Sequence, residues 1–394
     1  MTEKLGEVLR RGRVLKRMSQ GRLGEALGYS SSWVSRVEGG QLVPDDATLA
    51  RCCDVLDLTR QEVGLEGDDV HRRGFLVAGL ALGAGVALPA AAAAAEPKDL
   101  VERSLFHLPQ SKPSPRPTLT ASLVQARALF HEAHYTDLGR ALPRLVSDSL
   151  ASRAHDVTAR AYVLLAQLAI KNYQGYSWIA ADRARQQAEL TGNPVLMGEA
   201  AHAMSITMRR AGEYGAAIDQ LQEATARLGK SPDQLAMRGT LLLTASYSAA
   251  QAGWRGQALD FIGEAEETAQ RRETAAQKLY IPGVFGQDQT TVFRISVHHA
   301  LGEGTLALNY AAKVEPMKLP NAERRGRLCM DVARVWRDMG EPERAFSALR
   351  ALEAYAPEEA RRPKIRSLTS ELLTFNGEIP GLRRFAERIS AVPA

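Results

Sequence analysis

The side chains that could carry out metal or acid–base chemistry are few in this sequence, and their spacing is unfavourable. "HEAH" places His131 and His134 three residues apart, whereas a zinc-binding HExxH helix needs two histidines one turn apart. "HH" at His298 and His299 has no neighbouring carboxylate or cysteine, and the chain has neither a phosphate-binding loop nor a GxSxG motif. We therefore expect a protein that is not an enzyme and that uses no metal or cofactor.

Basic and hydrogen-bonding side chains are concentrated in residues 1–40 instead. Eight Lys or Arg residues stand there against four Glu, and the whole chain carries a net charge of +5. A net basic segment attracts phosphate groups in a salt-dependent way, so the composition permits a nucleic-acid partner. The three cysteines, Cys52, Cys53 and Cys329, form no disulfide framework, which fits a reducing cytosol.

Short helices must position these side chains. The apolar spacing over residues 4–66 predicts five of them. Ser19 is a suitable N-cap for a second helix over residues 20–27, and Gly28 can end it in the left-handed conformation. A third helix is expected over residues 31–38. The link "LGYS" between them has the length of the turn in a helix-turn-helix.

Several motifs at fixed offsets resemble the lambda-repressor-like, Xre-type helix-turn-helix domain. They are the arginine in the first helix, "SQ" opening the second, the "LG" turn, "SRVEGG" ending the third and the proline before the fourth. The resemblance covers about 55 residues. Gly12 departs from it, because the family usually has an apolar residue there.

The resemblance implies roles for individual residues. The third helix would lie in the major groove of DNA, with Ser31, Ser32 and Arg36 facing the bases. Arg36 could bind guanine O6 and N7 together. Gln20, at the start of the second helix, would hold a phosphate.

Trp33 lies on the same third helix and is a further candidate for DNA contact. Its alternative is packing against the second helix, which we favour. Arg13 and Glu38 resemble the family's structural ion pair and are expected to stabilise the fold. A helix-turn-helix that binds protein instead of DNA is the alternative for the whole segment.

An apolar run of 22 uncharged residues, 74–95, follows Arg72 and Arg73. It could be an export signal, a membrane span or a small-residue element packed within the protein. An export signal should be N-terminal, yet a domain precedes this run. Ten alanines, four glycines and Pro89 are poor composition for a span. We favour the packed element and rank a membrane association second.

A repeat follows the proline-rich segment "PQSKPSPRPT" (109–118). Gly is followed five residues later by Ala at positions 175, 212, 253, 302 and 340, and a degenerate copy begins at Thr136. The glycine would make the turn of a helical hairpin and the alanine would let its helices pack closely. The pattern resembles the tetratricopeptide repeat, with an insertion at 279–289.

The first helix of each hairpin would line a concave face suited to an extended ligand. The residues expected there for ligand binding are Asn172, Tyr173, Arg209, Tyr247 and Gln251, with His202, His299, Arg334 and Arg337 close by.

The predicted fold is all-α, with a five-helix lambda-repressor-like domain (1–66), an apolar segment and linker (67–118) and an α-solenoid of tetratricopeptide-like hairpins (119–394). This layout looks like that of the peptide-sensing regulators of Gram-positive bacteria and of many actinobacterial regulators. It implies a cytoplasmic transcriptional regulator, dimeric on double-stranded operator DNA with paired half-sites, and controlled by a ligand, peptide or protein on the repeats. The alternative is a scaffold, membrane-tethered or not, that uses both parts for protein contacts.

Overall fold

The computed structural model describes residues 5–16, 18–29, 31–39, 42, 44, 46–60, 62–63, 97–172, 175–271 and 285–392. Over these residues the protein is built of helices and turns, with no strand, so the predicted all-α fold class is confirmed. The chain divides into two compact units, 1–95 and 96–394. The apolar run 74–95, Tyr173 and most of the insertion at 279–289 lie outside the described residues.

The described residues of the N-terminal unit form four short helices. Ser19 caps the second one by accepting a hydrogen bond from the Arg22 backbone N–H at 3.1 Å, and Gly28 follows it with φ 77°, as the sequence predicted. Of the expected fifth helix, residues 57–60 and 62–63 form turns and loop, and residues 64–66 are not described. The helices are α1 (Leu5–Leu15), α2 (Gln20–Leu27), α3 (Ser31–Glu38) and α4 (Asp46–Leu56).

Two glycines in α1 allow close packing in this unit. A Cβ atom on Gly6 would lie 2.6 Å from the carbonyl oxygen of Glu38 at the end of α3. A Cβ atom on Gly12 would lie 3.0 Å from the side chain of Leu58. Gly12, which departs from the family pattern, is therefore buried where Leu58 occupies the space of a larger side chain.

The C-terminal unit is a row of helical hairpins. Seven pairs of helices stack through their first members, α6, α8, α10, α12, α14, α16 and α19. The helices are α5 (Pro97–Phe106), α6 (Arg116–His131), α7 (Tyr135–Ala151), α8 (His155–Lys171), α9 (Ser177–Glu189), α10 (Pro194–Arg210), α11 (Tyr214–Ala226), α12 (Pro232–Gln251), α13 (Arg255–Arg271), α14 (Gln287–Ala300), α15 (Gly304–Ala311), α16 (Ala322–Asp338), α17 (Pro342–Tyr355), α18 (Pro357–Ala360), α19 (Pro363–Phe375) and α20 (Leu382–Arg388).

The glycine and alanine of the repeat occupy the positions that the sequence predicted. The turn glycines of four hairpins have φ between 77° and 88°, a conformation that L side chains adopt only with strain. Each alanine five residues later is fully buried between the helices of its hairpin. The four turn glycines are Gly212, Gly253, Gly302 and Gly340, and the matching alanines are Ala217, Ala258, Ala307 and Ala345.

The register of the first hairpin differs from the expected one. Its turn lies at residues 132–134, with Ala133 at φ 59°, and Leu138 is the buried residue five positions later. The degenerate copy therefore begins at Ala133 and not at Thr136. The same turn contains most of "HEAH", of which only His131 is helical.

The C-terminal unit begins earlier than the expected boundary at residue 119. Helix α5 packs on α7, where Gly139 makes room for the Leu100 side chain. The Leu105 carbonyl also accepts a hydrogen bond from Arg183 at 2.7 Å. Residues 97–118, which the sequence placed in a linker, are thus part of the packed unit.

None of the helices in the described part of the chain combines the length and apolarity needed to cross a membrane.

Candidate functional site

Arg13 on α1 joins the beginning of α2 to the end of α3. Its guanidinium donates to both carboxylate oxygens of Glu38, at 2.5 and 2.9 Å, and to the Met18 carbonyl at 2.7 Å. Both side chains of the pair are buried. A bidentate contact in a buried site is strong and directional, so it fixes α3 against α1 and α2. The structure thus brings Arg13 and Glu38 together as the sequence indicated.

Gln20 is held by the same carboxylate. Its amide nitrogen donates to Oε2 of Glu38 at 2.9 Å, and its amide oxygen is buried without a hydrogen-bond partner among the described residues. The side chain of Gln20 therefore points to the interior pair. The backbone N–H groups at the start of α2 are the donors in this region that a phosphate could meet.

Trp33 on α3 packs against its own unit. Its ring stacks on Tyr29, with centroids 4.0 Å apart and planes 10° from parallel. The Tyr29 hydroxyl lies 3.3 Å from the Thr48 hydroxyl, and Arg51 lies over the Tyr29 ring at 5.6 Å. These contacts agree with the packing interpretation of Trp33, which is half-buried against the core. A DNA contact by Trp33 stays a prediction.

The other predicted base-contacting residues are on α3 as expected. Ser31 and Ser32 form its first turn, and Arg36 lies one turn further along, half-buried. Val34 and Val37 are buried between them, so the helix has one face in the core and another turned away from it.

Three first helices of the C-terminal unit bring basic side chains together around a tyrosine of a fourth, on the inside of the row of hairpins. We call the six residues Arg209, Tyr247, Arg327, Asp331, Arg334 and Lys364 the inner cluster. Arg209 of α10 lies over the Tyr247 ring at 4.8 Å, and Arg327 of α16 lies 5.9 Å from the same ring. Helices α12 and α16 are not consecutive in the row, so their contact through Tyr247 shows that the hairpins curve around this point.

Asp331 is the acidic member of the inner cluster. Its Oδ2 atom accepts hydrogen bonds from Arg327 at 2.9 Å and from the Ser296 hydroxyl at 2.5 Å. Arg334 lies 3.8 Å from its Oδ1 atom. Burial alone would raise the pKa of this carboxyl, but the charges of Arg327 and Arg334 outweigh burial and lower it. Asp331 is therefore ionised and already shared by two arginines.

The ionisation of the other members reflects the surplus of positive charge. Burial lowers the pKa of Lys364 far below its usual value, and Arg334 and Arg327 lower it further. Burial would raise the pKa of the Tyr247 hydroxyl, but Arg334, Arg327 and Arg209 outweigh burial and lower it. The site thus favours negative charge on whatever lies within it.

His202, on α10, lies at one side of the inner cluster. Burial, with the charges of Arg209 and Arg324, lowers its pKa to about 3, so the ring is neutral at physiological pH. Its Nδ1 atom is buried and has no hydrogen-bond partner in the described part of the chain.

The remaining predicted ligand residues are dispersed. Asn172 and Gln251 are half-buried at the ends of α8 and α12, and Tyr173 lies outside the described residues. His299 and Arg337 contact the Asp338 carboxylate, at 2.6 and 2.5 Å, and Asp338 also acts on Arg334. Arg209, Tyr247 and Arg334 are the predicted residues that the structure brings together.

A buried ionic junction closes the curve of hairpins on one side. Lys171 at the end of α8 donates to Glu323 of α16 at 2.6 Å and also binds Glu359 of α18. Tyr135 donates to Glu359, and Arg362 donates to the Lys171 carbonyl at 3.1 Å. Early hairpins thereby contact late ones directly. The helices in between must curve around the inner cluster.

Sequence reasoning missed Arg327, Asp331 and Lys364 in the inner cluster. The first two lie four residues apart on α16, and Arg334 lies three further on, so helical spacing could have placed them on one face. Lys364 gave no signal, because it comes from a hairpin far along the chain.

Comparison with known proteins identifies the N-terminal part. Residues 4–65 match a family model described as a helix-turn-helix domain, so this class of domain stands at the N-terminus. No curated protein matches the chain.

Two solved structures are similar to the chain. One is Bacillus thuringiensis PlcR in complex with the peptide PapR7 and DNA, at 14% identity and a TM-score of 0.36, over 79% of this chain and 95% of that one. The other is the Streptococcus dysgalactiae SHP pheromone receptor Rgg2, at 12% identity and a TM-score of 0.31, over 89% of this chain and 99% of that one.

Proposed function

We propose that this protein is a cytoplasmic, sequence-specific transcriptional regulator without catalytic activity. The helix-turn-helix domain over residues 4–65 is the observation that carries the proposal. In it, the buried pair Arg13–Glu38 holds α3 in a fixed orientation, as a helix that enters the major groove requires. Arg36 is the residue proposed to bind guanine, with Ser31 and Ser32 beside it on the first turn.

The contact of this domain with the DNA backbone is proposed to start at α2. The N–H groups at its first turn and the basic side chains of residues 1–40 would bind phosphates, which gives affinity without sequence preference. One such domain reads few base pairs. A homodimer on paired half-sites would therefore supply the specificity that a regulator needs.

The C-terminal unit is proposed to bind the effector. Its curved row of first helices gathers Arg209 and Tyr247, both predicted from sequence as ligand contacts, with Arg334, which was expected near the same face. Binding at this face would change the curvature of the hairpins, and so change how two copies are presented to DNA. The effector is a small ligand, a peptide or a protein.

The test is a pull-down of genomic DNA fragments with the full-length protein, Arg36→Ala and Arg227→Ala. Arg227 pairs with Glu223 on the surface of the C-terminal unit, so its replacement is a charge-matched control. The expected result is enrichment of a few sites with paired half-sites by the wild type and Arg227→Ala, but not by Arg36→Ala. Equal enrichment by all three proteins would contradict base reading by Arg36, and no enrichment at low salt would favour a domain that binds protein.

A further inference from the structure

The inner cluster contains more positive charge than its own residues neutralise. Three guanidinium groups, those of Arg209, Arg327 and Arg334, and the buried amine of Lys364 lie around Tyr247 and the Asp331 carboxylate. Glu323 and Asp338 act on Arg327 and Arg334 from outside the cluster. Asp331 is already engaged by Arg327, Arg334 and the Ser296 hydroxyl. Arg209 has no carboxylate partner among the described residues, and Lys364 has neither an ion pair nor a hydrogen bond there. Cations that converge in a poorly hydrated site repel each other unless an anion joins them.

A polar atom at the edge of the cluster also lacks a partner. The Nδ1 atom of His202, which is 6% exposed, is buried without a hydrogen-bond partner in the described structure. His202 lies near Arg209 and Arg324, at the edge of the inner cluster. A buried polar atom without a partner costs roughly 1–3 kcal/mol, so a ligand that bonds to it would recover part of this cost.

The residues that border the site are still reached by solvent. Arg209, Arg327, Arg334 and Lys364 are half-buried, although protein surrounds them on several sides. The three guanidinium groups can each present parallel N–H donors to an oxyanion, and the Lys364 amine and the Tyr247 hydroxyl add further donors. Four helices, α10, α12, α16 and α19, contribute these groups, so a bound group would hold distant hairpins together.

We infer that the inner cluster is a binding site for a small polyanion, a molecule with at least two carboxylate or phosphate groups, contacted by Arg209, Arg327, Arg334 and Lys364. The inference rests on the proposed effector role of the C-terminal unit and names the chemistry of the ligand. Bridging by the anion would fix the curvature of the hairpin row, because it neutralises the repulsion between α10, α16 and α19.

The test is calorimetric titration of the full-length protein with pyrophosphate and, separately, with citrate, at constant ionic strength set with sodium chloride. Lys364→Gln and Arg209→Gln are compared with Arg227→Ala. We expect saturable binding of at least one probe by the wild type and by Arg227→Ala, weakened about tenfold or more in the two cluster variants. Preference between the probes distinguishes a phosphate from a carboxylate ligand.

Thermal unfolding supplies a second readout that does not depend on the choice of ligand. Lys364→Gln removes a buried amine that lies beside arginines, so the stability of the variant without added anion should equal or exceed that of the wild type. Stabilisation by the anion should be reduced in the same variant. Two results would overturn the inference. One is that neither pyrophosphate nor citrate binds more tightly than chloride, and the other is that the wild type and the cluster variants bind the probes equally. Specific DNA binding that still depends on Arg36 would then leave the proposed regulator intact.

Discussion

Lys171 and Glu323 are 152 residues apart in the chain, yet the Lys171 amino group lies 2.6 Å from the Glu323 carboxylate and both side chains are buried. The same amino group binds Glu359. Each carboxylate has a further cation: Arg324 lies 2.6 Å from Glu323 and Arg362 lies 2.5 Å from Glu359. Three cations and two carboxylates thus form one network, and this network joins the second hairpin to the sixth.

Replacing Lys171 by Met should destabilise the C-terminal unit. The change keeps the apolar length of the side chain but removes the cation that bridges two buried carboxylates. Loss of one partner of a buried pair costs about 3–5 kcal/mol, and we expect about 3 kcal/mol because Arg324 and Arg362 stay in place. The measurement is the free energy of unfolding from urea denaturation of the full-length protein.

The matched comparison for that experiment is Arg227→Ala, which breaks an exposed pair with Glu223 on α11. Exposed pairs contribute about 0–1 kcal/mol, so the control should be close to the wild type. If Lys171→Met and the control unfold at the same urea concentration, the junction does not hold the hairpins together.

The contribution of Glu323 to stability should depend on pH. Burial would raise the pKa of this carboxyl, but Arg324 and Lys171 outweigh burial and lower it well below its ordinary value of 4.5. When folding lowers the pKa of a carboxyl group, the group stabilises the fold fully at a pH above its pKa in the unfolded state. This stabilisation is lost as the pH falls towards its pKa in the folded state. The difference in unfolding free energy between wild type and Glu323→Gln should therefore be constant from pH 7 to about 5.5 and shrink below about 4.5. A difference that stays constant down to pH 3 would contradict the shift.

The repeat glycines can be tested within a single hairpin. Gly253 makes the turn between α12 and α13 at φ 81°, whereas Gly263 lies within α13 with open space where a Cβ atom would be. Alanine at Gly253 should cost about 1 kcal/mol because of the left-handed backbone. Alanine at Gly263 should instead stabilise by up to about 1 kcal/mol, since alanine favours the helix. Urea denaturation of both variants measures these two changes in stability. Equal effects of the same sign would show that the turn at Gly253 is not held at positive φ.

Features with a local cause could be predicted from the sequence. The turn glycines and buried alanines were found because both belong to one hairpin and recur at a fixed offset. The Ser19 cap and the Gly28 terminus likewise depend on neighbouring residues. The family resemblance added the pair Arg13–Glu38, which no local pattern shows.

The junction and the place of Lys364 in the inner cluster could not be predicted, because they depend on how rotation accumulates over several hairpins. Lys171, Glu323 and Glu359 are residue types that normally lie at the surface, and nothing next to them in the chain marks them as buried. The engagement of Gln20 by Glu38 was missed for a related reason: the resemblance placed Gln20 at a helix N-terminus but did not reveal a carboxylate from the end of α3.

Stability and DNA recognition should separate in the N-terminal unit. Arg13→Met leaves Glu38 buried with Gln20 as its neutral partner, which should destabilise this unit by about 3–5 kcal/mol. Arg36→Ala should abolish specific DNA binding with a stability loss on the order of 1 kcal/mol, smaller than that of Arg13→Met, because Arg36 is half-buried. Hydrogen exchange of the full-length protein reports this directly: amides of α1 to α4 should lose protection in Arg13→Met and keep it in Arg36→Ala. Loss of protection in both variants would mean that Arg36 also holds the fold, and its effect on DNA binding would then say nothing about base contacts.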